Sequence, residues 1–441
     1  MAILKSLWGL IMKSIQKYGS LLFNRRQLAT LLLAFSSGLP LALIGSTLQA
    51  WYTVSGISIV TIGFLSFIGI PYNYKILWAP LLDRYIPPLL GRRRGWILLI
   101  QICLIISMIA MASLHPQTNP TLLAIIALIV AFFSASQDIT IDAYRVELLS
   151  EQERAFGAAC LATGYRIAML ISGGIALIMA DHYGWRVTYI IMSCLMLIGI
   201  IGTLVGPEPE NNITPPQNLS SAFREPFLEF LKRNNAYLIL LLIVLYKLGD
   251  AFTLSLNTTY LLRGVGFTLT DVGTANKIVG VFAILLGAFL GGALYPRLGL
   301  FRSLFIFGSA QAIAGLSFVS LLFFGKSFSL LILIVILDNL TSGMANAAFL
   351  AWLMSLCNIR YSATQYALFS GLFSLGRVFV GPVAGWLVQS YGWVDFYIVT
   401  FFITFPGLIL LWYLRKDIEQ HYFENLNEKN QKIEEFTSQE A

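Results

Sequence analysis

The sequence predicts an all-α polytopic membrane protein with twelve transmembrane helices in two six-helix halves. Composition is the first ground: of 441 residues, 57% are apolar and 12% charged, with mean hydropathy +0.75. Soluble domains carry about 25% charged residues. The second ground is the recurrence of apolar runs of 18 or more residues, among them 28–52, 95–114, 122–143 and 238–260. Each is long enough for a hydrocarbon core of roughly 30 Å at about 1.5 Å rise per residue. In lipid every backbone polar group must be satisfied internally, so such runs form helices. The third ground is internal repetition. Tyr183-Gly184-Trp185 with Tyr189-Ile190 returns as Tyr391-Gly392-Trp393 with Tyr397-Ile398, displaced by 208 residues, and Ser58-x-x-Thr61-Ile62-Gly63 returns as Thr268-x-x-Asp271-Val272-Gly273. Two parallel halves of this kind are a transporter pattern.

Turn and charge signals place the spans near 28–52, 59–82, 95–114, 120–147, 155–180, 184–206, 235–262, 271–295, 301–324, 329–357, 361–390 and 393–414. The domain reading is an N-terminal interface helix (1–27), a first six-helix half (28–206), a linker rich in Pro, Asn and Ser (207–233), a second half (234–415) and a charged tail (416–441). The N-terminal segment does not read as a cleavable signal. Leu4, Leu7, Trp8, Ile11, Met12 and Ile15 make one apolar helix face interrupted by Lys5, Lys13 and Lys17, the pattern of a helix lying in the membrane interface.

The net charge of +7 follows from topology and is not a nucleic-acid footprint. With the N-terminus inside, 21 Lys and Arg fall in inner segments, and only Arg186, Arg263 and Lys326 fall in outer loops. The bias predicts cytoplasmic termini. Cys103, Cys160, Cys194 and Cys357 lie in or near apolar runs without CxxC spacing and read as small hydrophobes rather than metal ligands or disulfides. No GxxxxGK[ST] string is present, which argues against ATP hydrolysis. His115, His182 and His421 are isolated in loops and tail, which argues against a polytopic membrane enzyme such as an acyltransferase. No catalytic residue, metal or cofactor is expected, and the chain reads as a monomer.

Ionisable groups in lipid cost roughly 2.5–3.5 kcal/mol on insertion scales, so they face a cavity or a partner. Here they are Lys75, Asp138, Asp142, Arg166, Lys247, Asp250, Lys277, Asp338 and Arg377. Asp138 and Asp142 stand i, i+4 on one helix face and suit a proton-coupling pair; Asp142 is equally placed to pair with Arg145 or the Arg84 loop. Gln137 offers hydrogen bonds to a sugar or a peptide amide. Arg166 and Arg377 suit carboxylates, because a guanidinium fork matches them. Lys247 and Asp250 (i, i+3) either serve a ligand or neutralise each other, and Asp338 lies at similar depth. Tyr165, Tyr246, Trp352 and Tyr366 are candidates for sugar stacking, although membrane-helix aromatics more often belong to the core or anchor in lipid. Gly173-Gly174 and Gly381-Pro382 read as packing or bending points.

The loop after span two reads Asp83-Arg84, then Gly91-Arg92-Arg93-Arg94-Gly95; its counterpart after span eight reads Pro296-Arg297-Leu298-Gly299, then Arg302. Both resemble the inner-loop signature of the major facilitator superfamily, although the first copy has Ala79 and an inserted Ile86-Pro87-Pro88-Leu89-Leu90, and the second lacks the Asp. Asp83, Arg84, Arg92, Arg93 and Arg94 are therefore candidates for a gating latch, against the plainer role of positive-inside anchoring.

Longer strings narrow the resemblance. Phe35-Ser36-Ser37-Gly38-Leu39-Pro40, Leu48-Gln49-Ala50-Trp51, Leu77-Trp78-Ala79-Pro80, Ser134-Ala135-Ser136-Gln137-Asp138-Ile139 and Gly164-Tyr165-Arg166 are similar to the AmpG family of muropeptide permeases. They cover most of the first half, whereas the second matches mainly in overall pattern. The resemblance implies a major facilitator fold and proton-linked import of anionic N-acetylglucosaminyl-1,6-anhydromuramyl peptides across the bacterial inner membrane. That import serves peptidoglycan recycling and is linked to β-lactamase induction. Composition and periodicity alone leave open a transporter for another solute, such as acetyl-CoA or a drug.

Overall fold

Lipid leaves a backbone amide no partner outside its own helix, and the longer described segments are all helical. The computed structural model describes residues 24–88, 90–149, 151–209, 229–233, 235–357 and 362–419. Most of the expected interface helix, linker and tail lies outside them. The helices are α1 (Arg25–Val54), α2 (Ile59–Tyr74), α3 (Arg92–Ala112), α4 (Pro120–Leu148), α5 (Gly157–Tyr183), α6 (Trp185–Val205), α7 (Ala236–Val265), α8 (Leu269–Leu298), α9 (Leu300–Phe324), α10 (Phe328–Leu356) and α11 (Ser362–Tyr413). Ten of these are long and apolar enough to cross a membrane; α2 is shorter. Because α11 breaks at Gly392 into two arms, the pattern is consistent with twelve crossings. The second span is a broken series rather than one helix. Tight turns at Leu65–Gly69 and Lys75–Leu77 separate its pieces, and Pro71 opens one of them, where its missing N–H costs nothing.

Two compact units result: 1–55 with 68–215, and 56–67 with 216–441. The opening of the second span thus groups with the second unit, a partition that helix order along the chain does not reveal. In the first unit, small residues let α1 approach its neighbours closely. Gly38 lies against the Tyr165 backbone, Gly164 against Leu31, and Gly202 against Leu32. Two wide turns, Leu43–Thr47 and Ile171–Ile175, meet where the Thr47 hydroxyl donates to Ser172 O at 2.6 Å. In the second unit, Gly287, Gly291 and Gly343 let α8 and α10 touch backbone to backbone. Gly63 meets Gly381 with no room for a Cβ on either, and the Ser66 hydroxyl donates to Val378 O at 2.6 Å.

The sequence repeats turn out to be helix starts. Ser58 accepts the Thr61 amide at 3.2 Å, and Thr268 with Asp271 forms a reciprocal capping box at the start of α8. Gly91, Gly184, Gly299 and Gly392 open α3, α6, α9 and the second arm of α11, with φ of 86°, 79°, 78° and 85°. Their ψ values of −173°, 164°, 169° and 179° complete a conformation that belongs essentially to glycine. Gly392→Ala is therefore expected to cost about 1–3 kcal/mol and lower the melting temperature in detergent. Gly292→Ala, in regular helix with nothing within 4 Å of the added Cβ, should not lower it.

Candidate functional site

The first unit opens a cavity of about 480 Å³ between α1, α4 and α5. Asp138 and Asp142 both line it, as their i, i+4 spacing on α4 requires, together with Ser37 from α1 and Tyr165, Arg166 and Met169 from α5. The Ser37 hydroxyl donates to the Asp138 carboxylate. Lys75, on the tight turn of the second span, is the cation whose field reaches Asp138. Asp142 stands half-exposed and takes the local alternative, an ion pair with Arg145 at 3.4 Å. Arg166 is exposed to the cavity and makes no ion pair among the described residues.

Gln137 does not reach this cavity. It is fully buried, and its Nε2 donates to Ser36 Oγ at 2.7 Å, which Gln101 Nε2 also approaches at 3.4 Å. The chain continues as the Thr203 hydroxyl donates to Gln101 Oε1 at 2.9 Å. Gln137 therefore belongs to a polar seam joining α1, α3, α4 and α6.

The candidates of the second unit assemble around Asp250. Lys247 lies 3.6 Å from its carboxylate and Arg377 3.5 Å, while Gln311 Nε2 donates to it at 2.7 Å. Lys247 is almost fully buried, with its ammonium 5.6 Å from the centre of the Phe349 ring, which stacks on Tyr246. Arg377 is 46% exposed and so keeps a free face. Asp338 is 7% exposed and has no ion pair among the described residues. Trp352 is buried in the core of this unit, and the Tyr366 side chain lies outside the described residues.

The basic loop finds its partners inside the first unit. Arg93 grips Glu147 through Nε at 3.1 Å to both carboxylate oxygens and through Nη2 at 2.5 Å, and Arg92 adds a contact at 3.2 Å. Glu208 caps the start of α3, accepting the amides of Arg93 and Arg94 at 2.8 and 3.0 Å. Arg94 donates from Nε to Thr203 O at 2.8 Å and from Nη2 to Leu204 O at 3.1 Å. Arg84 is exposed, and the Asp83 side chain lies outside the described residues. The sequence reading passed over Glu147 and Glu208. The available signal was the need itself: three successive arginines beside a helix start require carboxylates.

Two bundles of membrane-crossing helices with charged side chains held inside them define a polytopic membrane transporter. A family model for the Major Facilitator Superfamily matches residues 30–381 and 320–439. The chain is 49% identical over 395 residues to the anhydromuropeptide permease of Escherichia coli K12, spanning 89% of this chain and 80% of that protein. It is 33% identical over 397 residues to a putative transporter AmpG 4 of Rickettsia felis, spanning 88% and 96%. The crystal structure of a bacterial homologue of the lysosomal transporter Spinster superposes with TM-score 0.68 at 16% identity, covering 91% of this chain and 98% of that one. A D-xylose–proton symporter gives TM-score 0.62 at 14%, covering 88% and 95%. These two structures share the fold. The chain belongs to the AmpG family of the major facilitator superfamily, and its relatives are permeases rather than enzymes.

The Arg93–Glu147 pair is buried at 6% exposure on each side, and breaking such a pair strands a charge. Arg93→Ala should lower stability in detergent melts by about 3–5 kcal/mol. Arg84→Ala, at an exposed position, should leave the melt within about 0.5 kcal/mol of wild type.

Proposed function

We propose that this chain imports anhydro-muropeptides across the bacterial inner membrane by proton symport, as a monomer with both termini cytoplasmic. The observation that carries the reading is Arg166: a guanidinium with no ion pair among the described residues, facing a 480 Å³ cavity between helices of the first unit. Ligand pockets run to about 300–1,000 Å³, so the space suits part of a sugar-peptide. A bare cation at that place calls for an anion, and the peptide of an anhydro-muropeptide supplies carboxylates. The 49% identity to a relative named for that substrate supports the assignment, and the Lys and Arg bias supports the orientation.

In this scheme Arg166 receives a substrate carboxylate and Tyr165 offers a ring and a hydroxyl beside it. Asp138, held by Ser37 and fronting the same space, carries the proton, and Asp142 shares it when its pairing with Arg145 loosens. In the second unit, Arg377 keeps a free face beside Asp250 that can receive an anion. Arg92, Arg93 and Arg94 tie the ends of α3, α4 and α6 into one body, which lets the unit move as a whole when the site is exposed to alternate sides.

Two measurements test this. In proteoliposomes an inward proton gradient should drive accumulation of labelled anhydro-muropeptide, and an uncoupler should stop it. Accumulation surviving collapse of both pH gradient and membrane potential contradicts the coupling. Asp138→Asn keeps shape and hydrogen bonding, so it should retain downhill exchange and lose uphill accumulation. A folded Asp138→Asn protein that accumulates substrate with the wild-type pH dependence removes Asp138 from the coupling site.

A further inference from the structure

Repetition between the halves exposes one difference that packing does not explain. In the first unit Trp51 stacks on Trp185 with ring centres 5.4 Å apart, and the Tyr189 hydroxyl beside them donates to Leu43 O at 3.1 Å. In the second unit Trp393 and Tyr397, the repeat mates of Trp185 and Tyr189, also share a ring partner, met edge-on: Tyr260 sits 5.2 Å from Trp393 and 4.8 Å from Tyr397. Yet among the described residues the Tyr397 hydroxyl, at 1% exposure, has no hydrogen-bond partner, and neither does the Thr400 hydroxyl, at 4%, one turn further along. Buried hydroxyls are seldom left so, because each costs about 1–3 kcal/mol. Tyr397 and Thr400 line a small cavity with Asp250, Asp338, Gln311 and Thr253. Its volume of about 20 Å³ exceeds the 10–15 Å³ or so that one water needs, and its lining supplies the required polar partners.

The charges around this cavity are unevenly answered. Asp250 has Lys247, Arg377 and Gln311; Asp338 has no cation among the described residues. We propose that Asp338 is a second proton site, joined to Asp250 through one water held in this cavity by the hydroxyls of Tyr397 and Thr400. The inference rests on the reading of the chain as a proton-driven importer, and it adds a coupling group to the unit that does not contain Asp138. Among the described residues, the polar groups lining the cavity with Asp338 are Tyr246, Asp250 and Thr253 on α7, Gln311 on α9, and Tyr397, Thr400 and Thr404 on the second arm of α11, with Lys247 and Arg377 behind Asp250. With Lys247 and Arg377 protonated and both carboxylates ionised, the cluster is neutral. One proton taken from water onto the Asp338 carboxylate makes it a neutral acid and leaves the cluster with one positive charge. Arg377 is the exposed outlet of that charge, so loading the proton favours an anionic ligand on its free face and release of the proton weakens that hold. This links proton and substrate without direct contact between them.

Infrared spectroscopy of the reconstituted protein across pH gives a readout independent of substrate. Wild type should show a protonated-carboxyl C=O band that disappears in Asp338→Asn, persists in Asp138→Asn and changes frequency in Tyr397→Phe, where the water loses a partner. In transport, Asp338→Asn should retain exchange and lose pH-driven accumulation. Persistence of every carboxyl band in Asp338→Asn overturns the inference, and so does normal pH-driven accumulation by that variant. Accumulation driven by a sodium gradient without a pH gradient overturns it in favour of a metal cation. If Asp338→Asn fails to assemble, Asp338→Glu carries the test: a displaced pH profile of accumulation supports the site, and an unchanged profile overturns it. Should wild type move no anhydro-muropeptide, the functional reading fails, while the infrared result still decides the protonation of Asp338.

Discussion

A charge on a membrane-spanning helix has no solvent in lipid, so an ionised side chain must pair with another group of the bundle or face a water-filled cavity. This constraint sorts the polar residues of the protein into two kinds. Arg92 and Arg93 with Glu147 are answered within a few ångströms and serve the scaffold. Arg166, exposed to a cavity, and Asp338, buried, have no ion pair among the described residues, which leaves the first available to a ligand and the second to a proton.

The same constraint explains the small residues. A polar cluster deep in a bundle demands that helices approach until side chains from three or four of them meet. Gly38 and Gly164 bring α1 and α5 together beside the Asp138 cavity, and Gly308 gives Tyr246 room beside the Asp250 cluster. The wide turns at Leu43–Thr47 and Ile171–Ile175 lie on the same helices. Such turns shift the facing of the residues that follow, so one helix can present a packing stripe along part of its length and a polar face along the rest.

Much of the fold was legible because it rests on local chemistry. Apolar length marks the helices, and the repeated Tyr-Gly-Trp strings mark their breaks, since Gly184 and Gly392 adopt backbone angles that other residues resist. The pairs Asp138–Asp142 and Lys247–Asp250 were legible too, because i, i+4 and i, i+3 spacing puts them on one helix face. Gln137 was not: one residue along a helix is a turn of about 100°, which moves it from the cavity face to the seam with Ser36. Ser37, Gln311 and Glu208 were missed because their importance lies in partners 101, 61 and about 115 residues away. The broken second span escaped for a related reason, as hydropathy records the apolar length and not the turns within it.

The central claim is that Arg166, a cation of the first unit without an ion pair among the described residues, is an anion receptor, while Arg92 and Arg93 are structural. Equilibrium binding in detergent tests it most directly, comparing an anhydro-muropeptide with its analogue whose peptide carboxylates are amidated. Wild type should prefer the anionic ligand, and Arg166→Gln should lose most of that preference while binding the amidated analogue about as before. Equal binding of both ligands by wild type, or equal losses for both in Arg166→Gln, would contradict the account.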